Sequence, residues 1–113
     1  MKIYDRNRNV LTLGQRVMIA ATGAVAGLCP ITESSLGDGI FNGTIWAEEK
    51  GRLGFGSDSN IRITLTEELR TLEYSQRLRD RGRAILATPA RSTGRVIYEA
   101  GLDGGATAAG RDT

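Results

Sequence analysis

A single carboxylate stands where a short apolar run ends, near the middle of the sequence. The run "RLGFG" at residues 52–56 is followed by Ser57, Asp58, Ser59 and Asn60, and a helix pattern begins soon afterwards. In parallel α/β proteins, functional side chains converge at the C-terminal ends of the strands. Asp58 is therefore a candidate functional carboxylate, and Ser59 and Asn60 are candidates to hydrogen-bond to it or to a bound ligand.

The same four residues have a simpler interpretation as an ordinary turn. Serine, aspartate and asparagine are the residues that dominate turns and helix caps. The sequence contains no histidine, so Asp58 has no imidazole to act with. The residue types alone leave both interpretations open.

Three other features suggest chemistry and have more ordinary explanations. Cys29 ends an apolar run with no histidine to activate it, which predicts a buried structural thiol rather than a nucleophile. The loop "TESSLGDG" lacks the spacing of a phosphate-binding P-loop. A cluster of arginines suggests a nucleic-acid interface, but acidic residues are interleaved with it, which favours a solvated or partner-packing helix end; the cluster is Arg77, Arg79, Arg81 and Arg83.

Composition bounds the class of protein. A length of 113 residues suits one small domain, and the net charge of +2 is too small to indicate a nucleic-acid or membrane partner. A single cysteine excludes an internal disulfide and favours a reducing, cytoplasmic setting. Glycines interrupt the longest apolar stretch, which is too short to span a bilayer. We therefore expect a cytoplasmic protein that binds neither membranes nor nucleic acid.

The elements that would position Asp58 alternate between helices and short strands. The patterns predict a helix at residues 15–21, a strand at 24–30, a loop at 31–39, a short helix within 41–51 and a strand at 52–56. Such alternation indicates βαβ units and a parallel sheet. Two short parallel strands do not make a self-sufficient sheet, so the chain resembles part of something larger.

The clearest predicted element begins after the Asp58 region. Thr64 and Glu67 have capping-box spacing, and Leu65, Leu69 and Leu72 fall on one helical face. Arginines crowd the last turns before a glycine at position 82, as suits a helix C-terminus. A further short helix is predicted from a cap at Thr88-Pro89 to Gly101, with a frayed tail after it. Trp46 is predicted to pack over the outer face of the sheet.

Two runs of this sequence resemble a known enzyme family. They are "GAVAGLCPITESSLGDGIFNG" and "GRLGFGSDSNIRITLTEELRTLEYSQRLRDRGR". Together they resemble the seventh and eighth βα units of N-formimino-L-glutamate deiminases, metal-dependent amidohydrolases of histidine degradation. The resemblance covers about residues 23–108, and "GSDSN" and "EELRTLEYSQRLRDR" are its most specific parts.

The resemblance implies an α/β fold that is a partial TIM-barrel-like fragment. It would contain the last two βα units and the C-terminal helices, and so be helix-rich with two short parallel strands. Residues 1–22 would then form a divergent, loosely ordered start with a short helix, and residues 109–113 a frayed tail.

The resemblance also implies roles for the candidate residues. Family members hold a metal, usually zinc, with histidines from earlier strands and an aspartate after the eighth strand. Asp58 matches that aspartate, which ligates the metal and accepts a proton from its bound water during hydrolysis of formiminoglutamate to formylglutamate and ammonia. Ser59 and Asn60 would at most contact the metal-ligating residue or lie on the substrate side, and the "TESSLGDG" loop would form part of the active-site rim.

The sequence departs from this family in one decisive respect. It contains no histidine, and "NRNVLTLGQ" stands where the sixth-strand histidine is expected. A catalytic zinc takes about three protein ligands, and a whole barrel takes about 250 residues. We therefore expect a fragment that binds no zinc and is inactive alone, with a small-molecule substrate only in the parent enzyme. The alternative is a non-catalytic remnant that packs on a companion chain or on itself through unpaired strand edges.

Overall fold

The computed structural model describes residues 21–111 and the backbone of two short strands before them. The strands are β1 (Ile3–Tyr4), β2 (Val10–Leu11), β3 (Val25–Leu28) and β4 (Arg52–Phe55). The helices are α1 (Pro30–Leu36), α2 (Gly43–Glu48), α3 (Leu65–Asp80) and α4 (Thr93–Ala108). The helix predicted at residues 15–21 lies outside the described residues except for its last position.

Strands β3 and β4 form the parallel pair that the sequence predicts. Val25 pairs with Arg52 and Leu28 with Phe55, and the amide of Gly56 continues the ladder by donating to the Leu28 carbonyl at 3.0 Å. The chain therefore contains two short parallel strands in a helix-rich α/β fold, as predicted. Strands β1 and β2 form a separate antiparallel pair, which the sequence pattern did not indicate.

The prediction of a loop at residues 31–39 is wrong for most of that segment, because α1 occupies residues 30–36. Pro30 stands in its first turn, where a missing N–H costs no hydrogen bond. Gly37 ends the helix in the left-handed conformation, with φ of 72°. The proline and the glycine are start and stop signals that outweigh the turn-like composition between them.

Helix α3 begins as predicted, but it ends at Asp80 with Arg81 rather than Gly82 as its cap, and one residue of its predicted apolar face is exposed. The Thr64 hydroxyl accepts from the Glu67 amide at 3.1 Å, and Arg81 closes the helix in the left-handed region. Leu69 and Leu72 are buried, but Leu65 is exposed. Leu65 is the first residue of the helix, beyond the reach of the core.

Helix α4 corrects the prediction for the end of the chain. Its cap is Ser92, whose hydroxyl accepts from the Arg95 amide, rather than Thr88-Pro89. The helix continues through Gly101 to Ala108, so most of the predicted frayed tail is helical. Its glycines suit a close approach to β4, because a Cβ at Gly104 would lie 1.8 Å from the Leu53 carbonyl oxygen.

The core lies between the two strands and helices α3 and α4. It consists of seven buried apolar side chains, Leu28, Trp46, Leu53, Leu69, Leu72, Leu86 and Ile97. The Trp46 ring packs edge-on to Phe41, and its indole N–H donates to the Arg52 carbonyl at 3.0 Å. Trp46 is thus the packing residue that the sequence predicts. No helix of the described residues is long and apolar enough to cross a membrane.

Candidate functional site at the C-terminal ends of the parallel strands

Asp58 lies in a turn directly beyond the C-terminal end of β4. The Asn60 amide donates to the Ser57 carbonyl at 3.3 Å, which closes the turn across residues 57–60. Asp58 has φ of 48°, a left-handed conformation that aspartate tolerates better than most residues. Asp58 and Ser59 are both exposed, and the Ser59 hydroxyl lies 3.4 Å from Asp58 Oδ1. The turn interpretation is confirmed, and it presents an accessible carboxylate at the strand end.

The polar atoms of the Asn60 side chain are hydrogen-bonded within the protein. Its Oδ1 accepts from the amides of Arg62 at 2.9 Å and Ile63 at 3.1 Å. Its Nδ2 donates to the Ser57 carbonyl and, at 2.7 Å, to Glu68 Oε1. Both polar atoms of the amide are therefore engaged within the protein. This geometry indicates that Asn60 stabilises the loop by hydrogen bonds. Contact between Asn60 and a substrate stays a prediction.

Helix α1 holds the Asp58 turn from the side of β3. Thr32, which is buried, donates its hydroxyl proton to the Ser57 carbonyl at 3.1 Å. The amide of Ile31 donates to Glu68 Oε2 at 2.9 Å. The segments that follow the two parallel strands are thus joined by hydrogen bonds rather than merely adjacent.

Acidic groups gather where the two strands end. Burial raises the pKa of the Cys29 thiol, and the charges of Asp58, Glu33 and Glu68 raise it further. Burial likewise raises the pKa of Glu33, although the Cys29 amide donates to that carboxylate at 2.6 Å and acts in the opposite direction. Cys29 itself is half-buried rather than buried as predicted, and its raised pKa opposes a thiolate role.

The raised pKa of Glu33 predicts how pH affects stability. The folded state holds the Glu33 proton more tightly than the unfolded chain, whose carboxyl has the ordinary pKa of 4.5. The stabilising contribution is therefore complete below that pH and is lost as pH rises through the higher folded-state pKa. We expect Glu33→Gln to melt at the same temperature as the parent at pH 4 and slightly higher at pH 7. Circular dichroism melts measure this, and a less stable variant at pH 7 would contradict it.

The sequence and the fold both have close relatives. A curated formimidoylglutamate deiminase from Pseudomonas aeruginosa is 53% identical to this chain over 94 residues, which are 82% of the chain and 21% of that protein. This identity confirms the resemblance that the two sequence runs suggest. The chain is similar to one part of a formimidoylglutamate deiminase.

A solved structure supports the same assignment at the level of the fold. The crystal structure of an amidohydrolase from Brucella melitensis superposes with a TM-score of 0.85 and 48% sequence identity, covering 90% of this chain and 23% of that one. The chain thus spans between a fifth and a quarter of the length of these two relatives. A family model described as YdfZ protein also matches residues 2–38, less than half of the chain.

The described residues do not by themselves form the metal site of a deiminase. Within residues 21–111, no three side chains of the types that bind metals (histidine, cysteine, aspartate and glutamate) lie together so that they could hold a metal ion. Asp58 offers one accessible carboxylate, fewer than the roughly three protein ligands that a catalytic zinc takes.

The remaining predicted features are structural in the described part of the chain. Arg77 donates to Glu73 at 2.7 Å and lies over the Tyr74 ring, while Arg79 donates to Asp80 at 2.7 Å. These pairings favour the helix-end interpretation of the arginine cluster over a nucleic-acid interface.

A cavity of about 270 Å³ lies beside α1 and the loop after it. Glu33 is the charged residue in its lining, which disfavours anion binding.

Sequence reasoning missed Glu68 as a residue of this site. Its position in the first turn of α3 indicated only a favourable contact with the helix dipole. The structure buries it to 1% exposure between the segments that follow β3 and β4. The sequence contains only a weak signal for this role, because the spacing of apolar residues along the helix does not predict that a glutamate is buried.

Proposed function

We propose that this chain supplies the Asp58 part of a deiminase active site and is inactive as an isolated unit. The observation that carries the proposal is the place of Asp58, exposed at the C-terminal end of a parallel strand within a segment that is 53% identical to a formimidoylglutamate deiminase. Strand C-termini are where catalytic residues of barrels lie. The reaction of the completed enzyme would be hydrolysis of N-formimino-L-glutamate to N-formyl-L-glutamate and ammonia.

The isolated chain lacks the means to carry out this reaction. The sequence has no histidine, and one carboxylate in water is a weak, labile ligand beside the roughly three protein ligands that hold a catalytic zinc. The substrate pocket would also be incomplete, because barrel active sites draw side chains from several strands. Zinc is therefore proposed for the completed barrel and not for this chain alone.

A segment exchange tests the proposal. The part of the Pseudomonas aeruginosa protein that corresponds to residues 23–108 would be replaced by those residues of this chain, which leaves the earlier strands of that protein in place. Ammonia release from N-formimino-L-glutamate would be measured in this segment-exchange protein, called the exchange protein below. We expect zinc-dependent activity within about tenfold of the unmodified enzyme. Such a loss corresponds to a rise of at most about 1.4 kcal/mol in the activation free energy. A folded exchange protein that holds zinc but releases no ammonia would contradict the proposal.

A second candidate function is a non-catalytic role in binding another chain. It is favoured by large apolar side chains on the surface, since Ile61 is 96% exposed and Leu78 is 81% exposed. Within the described residues, no third strand pairs with β3 or β4, and sheet edges are sites where another chain can add a strand. The same surfaces would be covered by the remainder of a barrel. Activity of the exchange protein therefore separates the two candidates.

A further inference from the structure

We propose that Glu68 is a positioning residue that fixes the Asp58 loop, defined as residues 57–63, relative to helix α1. The inference rests on the proposed function only in giving Asp58 a catalytic purpose. Glu68 is 1% exposed, and each of its carboxylate oxygens accepts a hydrogen bond from a different segment. Oε2 accepts from the Ile31 amide at 2.9 Å and Oε1 from Asn60 Nδ2 at 2.7 Å.

The second of these bonds reaches the Asp58 loop through Asn60. Asn60 Oδ1 accepts from the amides of Arg62 and Ile63, so orienting the Asn60 side chain orients the chain on the far side of the turn. Ile63 is held at φ of 47°, a conformation that is strained for a β-branched residue and persists only where the surroundings enforce it. Glu68 supplies that enforcement because it fixes the amide that holds Ile63.

The chemistry of a carboxylate is required at this position. Both partners of Glu68 are N–H donors, and an ionised carboxylate has two accepting oxygens. A glutamine of the same size has only one, so its NH₂ group would face either the Ile31 amide or the Asn60 amide. A buried donor without an acceptor is costly, so the contacts of the substituted side chain with both segments are expected to weaken.

Helix α3 contains a matched control for this arrangement. Glu73 is also buried, at 2% exposure, and it accepts from the amides of Ile85 at 2.8 Å and Leu86 at 3.0 Å. It thus brackets the segment after α3 and makes no hydrogen bond to the Asp58 loop. Glu73 also accepts from Arg77 Nε at 2.7 Å, so substituting Glu73 perturbs a buried carboxylate that holds a different segment, together with one ion pair.

Amide hydrogen exchange in the full chain tests the inference. Glu68→Gln is expected to speed exchange at Ile31, Arg62 and Ile63 at least tenfold, with Ile85 and Leu86 unchanged. Glu73→Gln is expected to give the converse pattern. Equal effects of both substitutions at all five amides, or no effect of Glu68→Gln at Arg62 and Ile63, would overturn the inference.

The exchange protein supplies the functional measurement. Glu68→Gln should lower kcat at least tenfold at temperatures where the protein is folded, whereas Glu73→Gln should change kcat less than twofold. Equal losses in the two variants would reduce Glu68 to a purely structural role. If the unsubstituted exchange protein is inactive, the proposed function fails, and hydrogen exchange alone still decides whether Glu68 fixes the loop.

Discussion

Gly104→Ala should strongly destabilise the protein, because the added methyl group has no space between α4 and β4. The new Cβ would lie 1.8 Å from the Leu53 carbonyl oxygen and 2.5 Å from its carbonyl carbon. These are backbone atoms, which cannot rotate away, so α4 must separate from β4. We expect a loss of about 3 kcal/mol, the upper end for overpacking, and a melting temperature lower by roughly 12–24 °C.

The adjacent glycine provides the control for this prediction. A Cβ at Gly105 has no heavy atom within 4 Å, so Gly105→Ala should only improve helix propensity. We expect it to stabilise the protein by about 0.5–1 kcal/mol. Denaturant unfolding of the two variants measures both effects. Equal stabilities would contradict the packing of α4 on β4.

Asp58→Asn should abolish deiminase activity in the exchange protein while leaving its fold intact. Asp58 is exposed, with the Ser59 hydroxyl as its nearest polar contact at 3.4 Å, so its replacement breaks no strong internal bond. An amide binds metal less strongly than a carboxylate and cannot accept a proton from a bound water at neutral pH. We expect ammonia release to fall roughly a hundredfold to a thousandfold, as when a group that stabilises the transition state is removed, with an unchanged melting temperature.

Ser59→Ala is the companion control in the same loop. Ser59 is exposed, and its hydroxyl makes only the long contact with Asp58. The family resemblance implies that Ser59 contacts either the metal-ligating residue or the substrate, and a substrate contact would appear as a raised KM with little change in kcat. Asp58→Asn with more than a tenth of the parental activity would remove Asp58 from the chemistry.

Strong local signals were sufficient to predict the two strands and helix α3 on either side of Asp58 in the sequence, although they did not predict α1, which also contacts the Asp58 turn. The capping spacing of Thr64 and Glu67 located α3, and the apolar runs located β3 and β4. The end of the chain was predicted wrongly because glycines in α4 look like helix stops in the sequence. Gly104 is instead kept small by the Leu53 backbone, a contact between distant residues that local patterns do not reveal.

The candidate site divides in the same way between local and long-range information. Asp58 was identifiable from its place after a strand and from the family resemblance. The function of Asn60 as a loop bracket and of Glu68 as its partner depends on bonds between separate segments, including the bond from Ile31 to Glu68 across 37 positions. Such bonds have no periodic signature, so only the folded arrangement identifies them.

Zinc content and ammonia release by the full 113-residue chain test most directly the claim that this segment carries one ligand of an incomplete site. The chain would be incubated with zinc, dialysed and assayed with N-formimino-L-glutamate, beside an Asp58→Ala variant. We predict far less than one zinc per chain and no ammonia above the buffer rate, because the sequence contains no histidine and one carboxylate does not hold a catalytic zinc. One zinc per chain together with turnover that disappears in Asp58→Ala would contradict the account.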